Sequence, residues 1–139
     1  MAVIVDTSVL IADEHGTFDL DGYLAAIDAS DVAIAAITAS ELLHGVERTK
    51  DPIARADSAN RTENVFDEFQ VVPFGLAEAR VHARIWAALA RQGKMIGAHD
   101  LIIAATALAH DASVATLNPK DFKRVSGLTL EPVAKFVKK

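Results

Sequence analysis

The chain contains no cysteine. That excludes a disulfide scaffold, a thiolate zinc site and a cysteine nucleophile. It also lacks a long apolar run. Its longer uncharged stretches, 32–40 and 101–109 among them, are about nine residues each, whereas a membrane-spanning helix needs about 20. The first residues are apolar, but Asp6 and Asp13 interrupt them and no basic residue precedes them. They do not read as a secretion signal, and a cytoplasmic protein with no membrane partner is expected. Basic charge is in deficit, because 14 Lys and Arg face 19 Asp and Glu, a net charge of −5. A field of that sign repels nucleic acid as a whole, so any such binding must rest on a local basic patch. There is no G-x-x-x-x-G-K-[ST] and no G-x-G-x-x-G, so neither a P-loop nor a dinucleotide site is supported.

What is present is a globular balance. The 139 residues are 51% hydrophobic and 24% charged, the size and composition of one domain, 1–139. Short apolar runs alternate with helical patterns. Strands are predicted at 2–5, 32–36, 70–74 and 113–117, with a possible fifth, edge strand at 128–130. Helices are predicted at 7–14, 19–29, 38–49, 53–69, 76–91, 98–112 and 119–123. This alternation predicts an α/β fold, a three-layer α/β/α arrangement around a mostly parallel sheet of about four to five strands.

In such a sheet, function sits at the carboxyl ends of the strands. Asp6 ends the first strand, Asn118 ends the fourth, and Glu41 is expected in the first turn of the helix after the second. Asp100 follows from topology. Its helix feeds the fourth strand, so a parallel sheet requires that helix to start at the carboxyl edge. Converging carboxylates repel one another unless a cation neutralises them. Hard oxygen ligands without Cys or clustered His suit Mg²⁺ or Mn²⁺, and such a cation typically serves phosphate chemistry. Each acid also has a plainer reading. Asp6 can cap a helix, Glu41 stands at capping-box spacing from Thr38, and Asp100 can complement a helix dipole.

Four segments carry a family resemblance: Val3-Ile4-Val5-Asp6-Thr7-Ser8, Thr38-Ala39-Ser40-Glu41-Leu42-Leu43-His44-Gly45, His99-Asp100-Leu101-Ile102-Ile103-Ala104-Ala105-Thr106-Ala107 and Val114-Ala115-Thr116-Leu117-Asn118-Pro119-Lys120-Asp121-Phe122. In that order they resemble the PIN-domain nucleases, and within them the VapC-type toxins of toxin–antitoxin pairs. The resemblance implies a PIN-like fold and a Mg²⁺- or Mn²⁺-dependent endoribonuclease. It implies metal-binding acids at Asp6, Glu41 and Asp100. The family's fourth acid is often Asp where this chain has Asn118, and Asp121, three residues on, could supply a carboxylate through a water. Ser8, Thr116 and Asn118 are expected to support the ligands. A VapB-type antitoxin, an RNA substrate and a homodimer are the implied partners.

Other residues have weaker signals. His15, His44 and His99 read as hydrated surface histidines. Arg80, Arg84 and Arg91 read as a solvated helix face. Lys120, Lys123 and Arg124 are the better phosphate-binding candidates. Val81, Ile85, Trp86 and Leu89, together with residues 42–46, are expected at a dimer interface. Two other functions are compatible with acids at strand ends: a catalytically inactive PIN-like binding module, and a receiver-type phosphoacceptor domain. The latter expects an acceptor Asp after the third strand, where Val72-Pro73-Phe74 offers none.

Overall fold

The structure is a computed structural model and describes residues 2–27 and 31–139. Its strands are β1 (Val3–Val5), β2 (Val32–Ala35), β3 (Gln70–Val72) and β4 (Ser113–Ala115). Its helices are α1 (Thr7–Glu14), α2 (Leu20–Ile27), α3 (Ala36–Arg48), α4 (Pro52–Glu68), α5 (Leu76–Arg91), α6 (Ala98–Ala109) and α7 (Pro119–Phe122), with a 3-10 turn at Ala134–Phe136. The strands pair in the order β3-β2-β1-β4, and every pairing is parallel. The expected fifth strand at 128–130 is reduced to one parallel bridge, Leu130 to Val114. The end of the expected helix at 19–29 lies outside the described residues.

Strand alternation divides the core between the two faces of the sheet. Ile4, Ala33, Ala35 and Val114 pack with Leu89, Leu101, Ile103 and Phe122 from the α5–α6–α7 side. Val3, Val5, Ile34 and Ala115 pack with Val9, Leu10, Phe18 and Tyr23 from the α1–α2 side. Both faces are covered, which is why the strands read as continuous apolar runs. Each fully buried large apolar side chain contributes roughly 1.5–3 kcal/mol, and Phe18, Phe122 and Ile103 are among the most completely buried.

Helix boundaries follow from local chemistry. Asp51 accepts the Ala54 N–H at 2.9 Å and Pro52 follows it, a cap and a first-turn proline that start α4. Helix α6 stops at Ala109, earlier than the sequence pattern suggests. Asp111 adopts a left-handed conformation (φ 53°), and the Ala112 N–H turns back to the Ala107 carbonyl at 2.8 Å, which ends the helix and releases the chain into β4. Helix α3 begins two residues before its predicted start. Thr38 is therefore inside the helix and fully buried rather than capping it.

Candidate functional site

Asp6 leaves β1 as the N-cap residue of α1, but its side chain makes no capping bond. It is 4% exposed, and its Oδ2 accepts the Ser8 and Thr116 hydroxyls, each at 2.7 Å. Those hydroxyls are themselves oriented. Ser8 Oγ accepts the Leu117 N–H at 3.1 Å and Thr116 Oγ1 accepts the Asn118 N–H at 3.0 Å. The two backbone donors occupy oxygen lone pairs, so both hydroxyl protons point at one carboxylate oxygen. The loop from β4 to α7 thus fixes Asp6 through two hydroxyls. Asn118 contributes its backbone N–H to this, and its exposed side chain makes no capping bond.

Glu41 lies in the second turn of α3, not the first, because the helix starts at Ala36. Its Oε1 accepts the Thr7 hydroxyl at 2.8 Å, and that hydroxyl also contacts the buried Thr38 hydroxyl at 3.0 Å. The capping-box reading of Thr38 and Glu41 is thereby corrected. The two extra helical residues put Thr38 inside α3 and against α1, where its hydroxyl meets that of Thr7. On the other side, His99 Nδ1 stands 3.4 Å from Glu41 Oε2.

Asp100 occupies the first turn of α6. Its carboxyl is pushed up from the usual aspartate range to about 6, mainly by burial, then by the charges of Asp6, Asp121 and Glu41; His99 opposes the shift. Four acids from four elements therefore share one electrostatic environment. Asp121 Oδ2 reaches toward the Gly97 N–H at 3.5 Å, and Asp100, Leu117, Asn118, Lys120, Asp121 and Lys123 line one open groove.

Among the described residues, no three His, Asp or Glu side chains are drawn together tightly enough to hold an ion as they stand. The donor chemistry nevertheless fits a hard divalent cation. The side chain of Asp6 is free of capping duty, its Oδ1 has no hydrogen-bond partner among the described residues, and the neighbouring charges oppose ionisation of Asp100. A cation relieves that conflict.

Several residues emerge only in three dimensions. Thr7 and Thr38 orient Glu41, although in sequence they read as a motif residue and a helix cap. His99 is exposed, as expected, but it also abuts Glu41. Its place in the chain, one residue before Asp100, was the available signal. His15 and His44 are exposed as expected. Arg80, Arg84 and Arg91 are exposed on α5, without ion pairs among the described residues.

The PIN domain family model matches residues 3–128. The chain is 40% identical to the Ribonuclease VapC of Rickettsia bellii over 128 residues, 92% of this chain and 93% of that protein. It is 39% identical to the Ribonuclease VapC1 of Rickettsia felis, over 96% of this chain and 98% of that one. Among solved structures, it superposes on a chain of the DNA-bound VapBC complex of Salmonella typhimurium with a TM-score of 0.84 and 25% identity, covering 94% of this chain and 97% of that chain. The chain belongs to the PIN domain family.

Proposed function

We propose that this chain is a divalent-metal-dependent endoribonuclease, the toxin of a VapBC-type pair. The observation that carries the reading is the convergence of Asp6, Glu41, Asp100 and Asp121 at the carboxyl edge of a parallel sheet, with the Asp100 carboxyl raised to about 6 by burial and by its acidic neighbours. The names of its relatives, ribonucleases of the VapC type, support the same activity.

Asp6, Glu41 and Asp100 are the residues that would hold Mg²⁺ or Mn²⁺, with Asp121 beside them. A bound cation of this kind polarises a phosphoryl oxygen and lowers the pKa of a bound water, the chemistry that hydrolyses a phosphodiester. The chain's own residues supply the positioning. Ser8 and Thr116 hold Asp6 in one rotamer, Thr7 holds Glu41, and His99 offsets part of the local negative charge. Asn118 keeps a neutral oxygen where relatives of this family often carry a fourth acid, which leaves Asp121 as the nearest additional carboxylate.

A VapB-type antitoxin is the proposed regulatory partner, since the structural neighbours are VapBC complexes. An acidic groove is electrostatically suited to an inserted Arg of such a partner. Residues 1–139 act as a single PIN domain in this reading, in the cytoplasm; no described helix is long and apolar enough to cross a membrane.

The decisive experiment incubates the purified chain with total RNA and Mg²⁺ or Mn²⁺ and maps the cleaved ends. Cleavage should require the cation and be abolished by Asp6→Asn and Asp100→Asn with the fold intact. Undiminished cleavage in EDTA would overturn the metal mechanism. RNA left intact by a folded, metal-loaded chain would favour the inactive binding module.

A further inference from the structure

A cluster of four acids is a poor place to bring a polyanion. Whatever cation sits among them, the flanking phosphates of an RNA strand still meet the negative field of a chain with net charge −5. Some local group must oppose that repulsion, and the chain's basic side chains differ in where they lie and in how free they are to do so. Arg55 and Arg61 are engaged with Glu47 and Glu14. Arg124, although close in sequence to the site, donates to the Met95 carbonyl at 3.0 Å. It ties the loop between α5 and α6 to the end of α7 and is spent on structure. Lys120 and Lys123 are different. Both line the same groove as Asp100 and Asp121, both are exposed, and neither forms an ion pair among the described residues. They lie three residues apart, so their stems project from one side of the α7 turn. That turn is a firm base. Phe122 between them is fully buried, Pro119 opens the turn, and the Lys123 N–H returns to the Pro119 carbonyl at 2.9 Å.

Resting on the nuclease reading above, we propose that Lys120 and Lys123 bind the backbone phosphates of the RNA strand that flank the cleaved bond, on the α7 side of the carboxylates. An ammonium group acts as a point charge without base-reading geometry, so this contact positions the strand and is indifferent to sequence. Choice of RNA target then rests elsewhere. The same two groups also screen the strand from Asp100 and Asp121, which lets an acidic protein act on an acidic polymer.

The test measures binding of a fluorescein-labelled, mixed-sequence single-stranded RNA to the full chain, in EDTA to keep the probe intact, between about 50 and about 200 mM salt. Each phosphate contact in a single strand contributes roughly 0.7 to the slope of log affinity against log salt. Lys120→Ala/Lys123→Ala should lower that slope by about 1.4, while Lys120→Arg/Lys123→Arg keeps it and Lys50→Ala, far along the chain, leaves it unchanged. Matching melting temperatures exclude a folding defect. An unchanged slope in the double alanine variant, or an equal drop for Lys50→Ala, overturns the proposal. So does an unchanged slope with lost capture of a co-expressed small partner, which assigns the lysines to that partner. Cleavage of total RNA with Mn²⁺ by the same preparation reports on the nuclease reading separately. A lysine-dependent slope without cleavage keeps the phosphate contact and removes the nuclease.

Discussion

Asp100 carries the conflict at the centre of the site. Its carboxyl is displaced upward to about 6, first by burial and then by Asp6, Asp121 and Glu41. A group whose folded pKa exceeds its unfolded value contributes stability that is fully present below the unfolded value and is lost as pH rises through the folded one. In metal-free buffer, the stability owed to Asp100 is therefore present near pH 3.8 and lost by about pH 6 and above. Asp100→Asn removes the repelling charge. In EDTA at pH 7.5 it should raise the melting temperature by a few degrees, and the difference from the parent should close as pH approaches 4. Calorimetric melts across that range check this. A lower melting temperature for the variant at pH 7.5 would mean that its neighbours do not strain the carboxylate. The plainer readings of Asp6 and Glu41 fail at this same scale, whereas Asp100 does stand in the first turn of α6. Neither Asp6 nor Glu41 satisfies a helix end, and their oxygens are instead held by the hydroxyls of Ser8, Thr116 and Thr7.

The α5–α6 pair shows how elements are joined away from the site. Glu78, 7% exposed, accepts the Gly75 N–H at 2.8 Å at the start of α5 and meets His110 Nε2 at 2.8 Å just beyond the end of α6. Gly75 has no side chain to return the bond, so only the Glu half of a capping box is made. The Gly75 bond, outweighing burial and aided by His110, holds the Glu78 carboxyl below the usual glutamate range. A depressed carboxylate contributes stability above its unfolded pKa and loses it as pH falls through the folded value. Glu78→Ala should cost about 1.5–3 kcal/mol at neutral pH, as hydrogen bonds to a charged group do. Urea midpoints at pH 7 and pH 3 check this, with the gap narrowing in acid. RNA cleavage by the folded variant should persist, because Glu78 lies at the opposite end of the helix pair from Asp100.

For the whole molecule, one face of α5 is left uncovered by the chain itself. Leu89 and Val46, expected at a dimer interface, belong to the chain's own core at 3% and 7% exposure. Ile85 also packs against that core. Trp86 stays 53% exposed, with Phe74, Leu76 and Met95 also exposed. Trp86 is stacked edge-on to His82, which in turn meets Phe74. An exposed aromatic row of this kind is characteristic of association surfaces, and a homodimer through this face is the proposal that fits it. Light scattering at micromolar concentration should give about twice the 14.8 kDa chain mass. Trp86→Ala should shift the mass toward the monomer without lowering the melting temperature of the monomeric fold. A parent mass near that of one chain, unchanged on concentrating, would reject the dimer.

The sequence by itself determined the alternation of strands and helices, and with it the parallel sheet. Period and apolar runs are local properties, and α1 and α5 fall at the predicted boundaries. It also determined which edge would gather Asp6 and Asp100, because a helix that feeds a parallel strand must begin at that strand's carboxyl end. Tertiary structure decided what local pattern cannot encode. The start of α3 moved because burying Thr38 against Thr7 outweighs its use as a cap, and α6 ended early because Asp111 takes a left-handed turn. The fifth strand shrank to a single bridge, since β4 receives only Leu130 at its outer edge. Partners of these carboxylates lie far off in sequence, Thr116 110 residues from Asp6 and Thr7 34 residues from Glu41. Side-chain hydrogen bonds over such separations depend on how elements pack, and packing is a property of the folded chain alone.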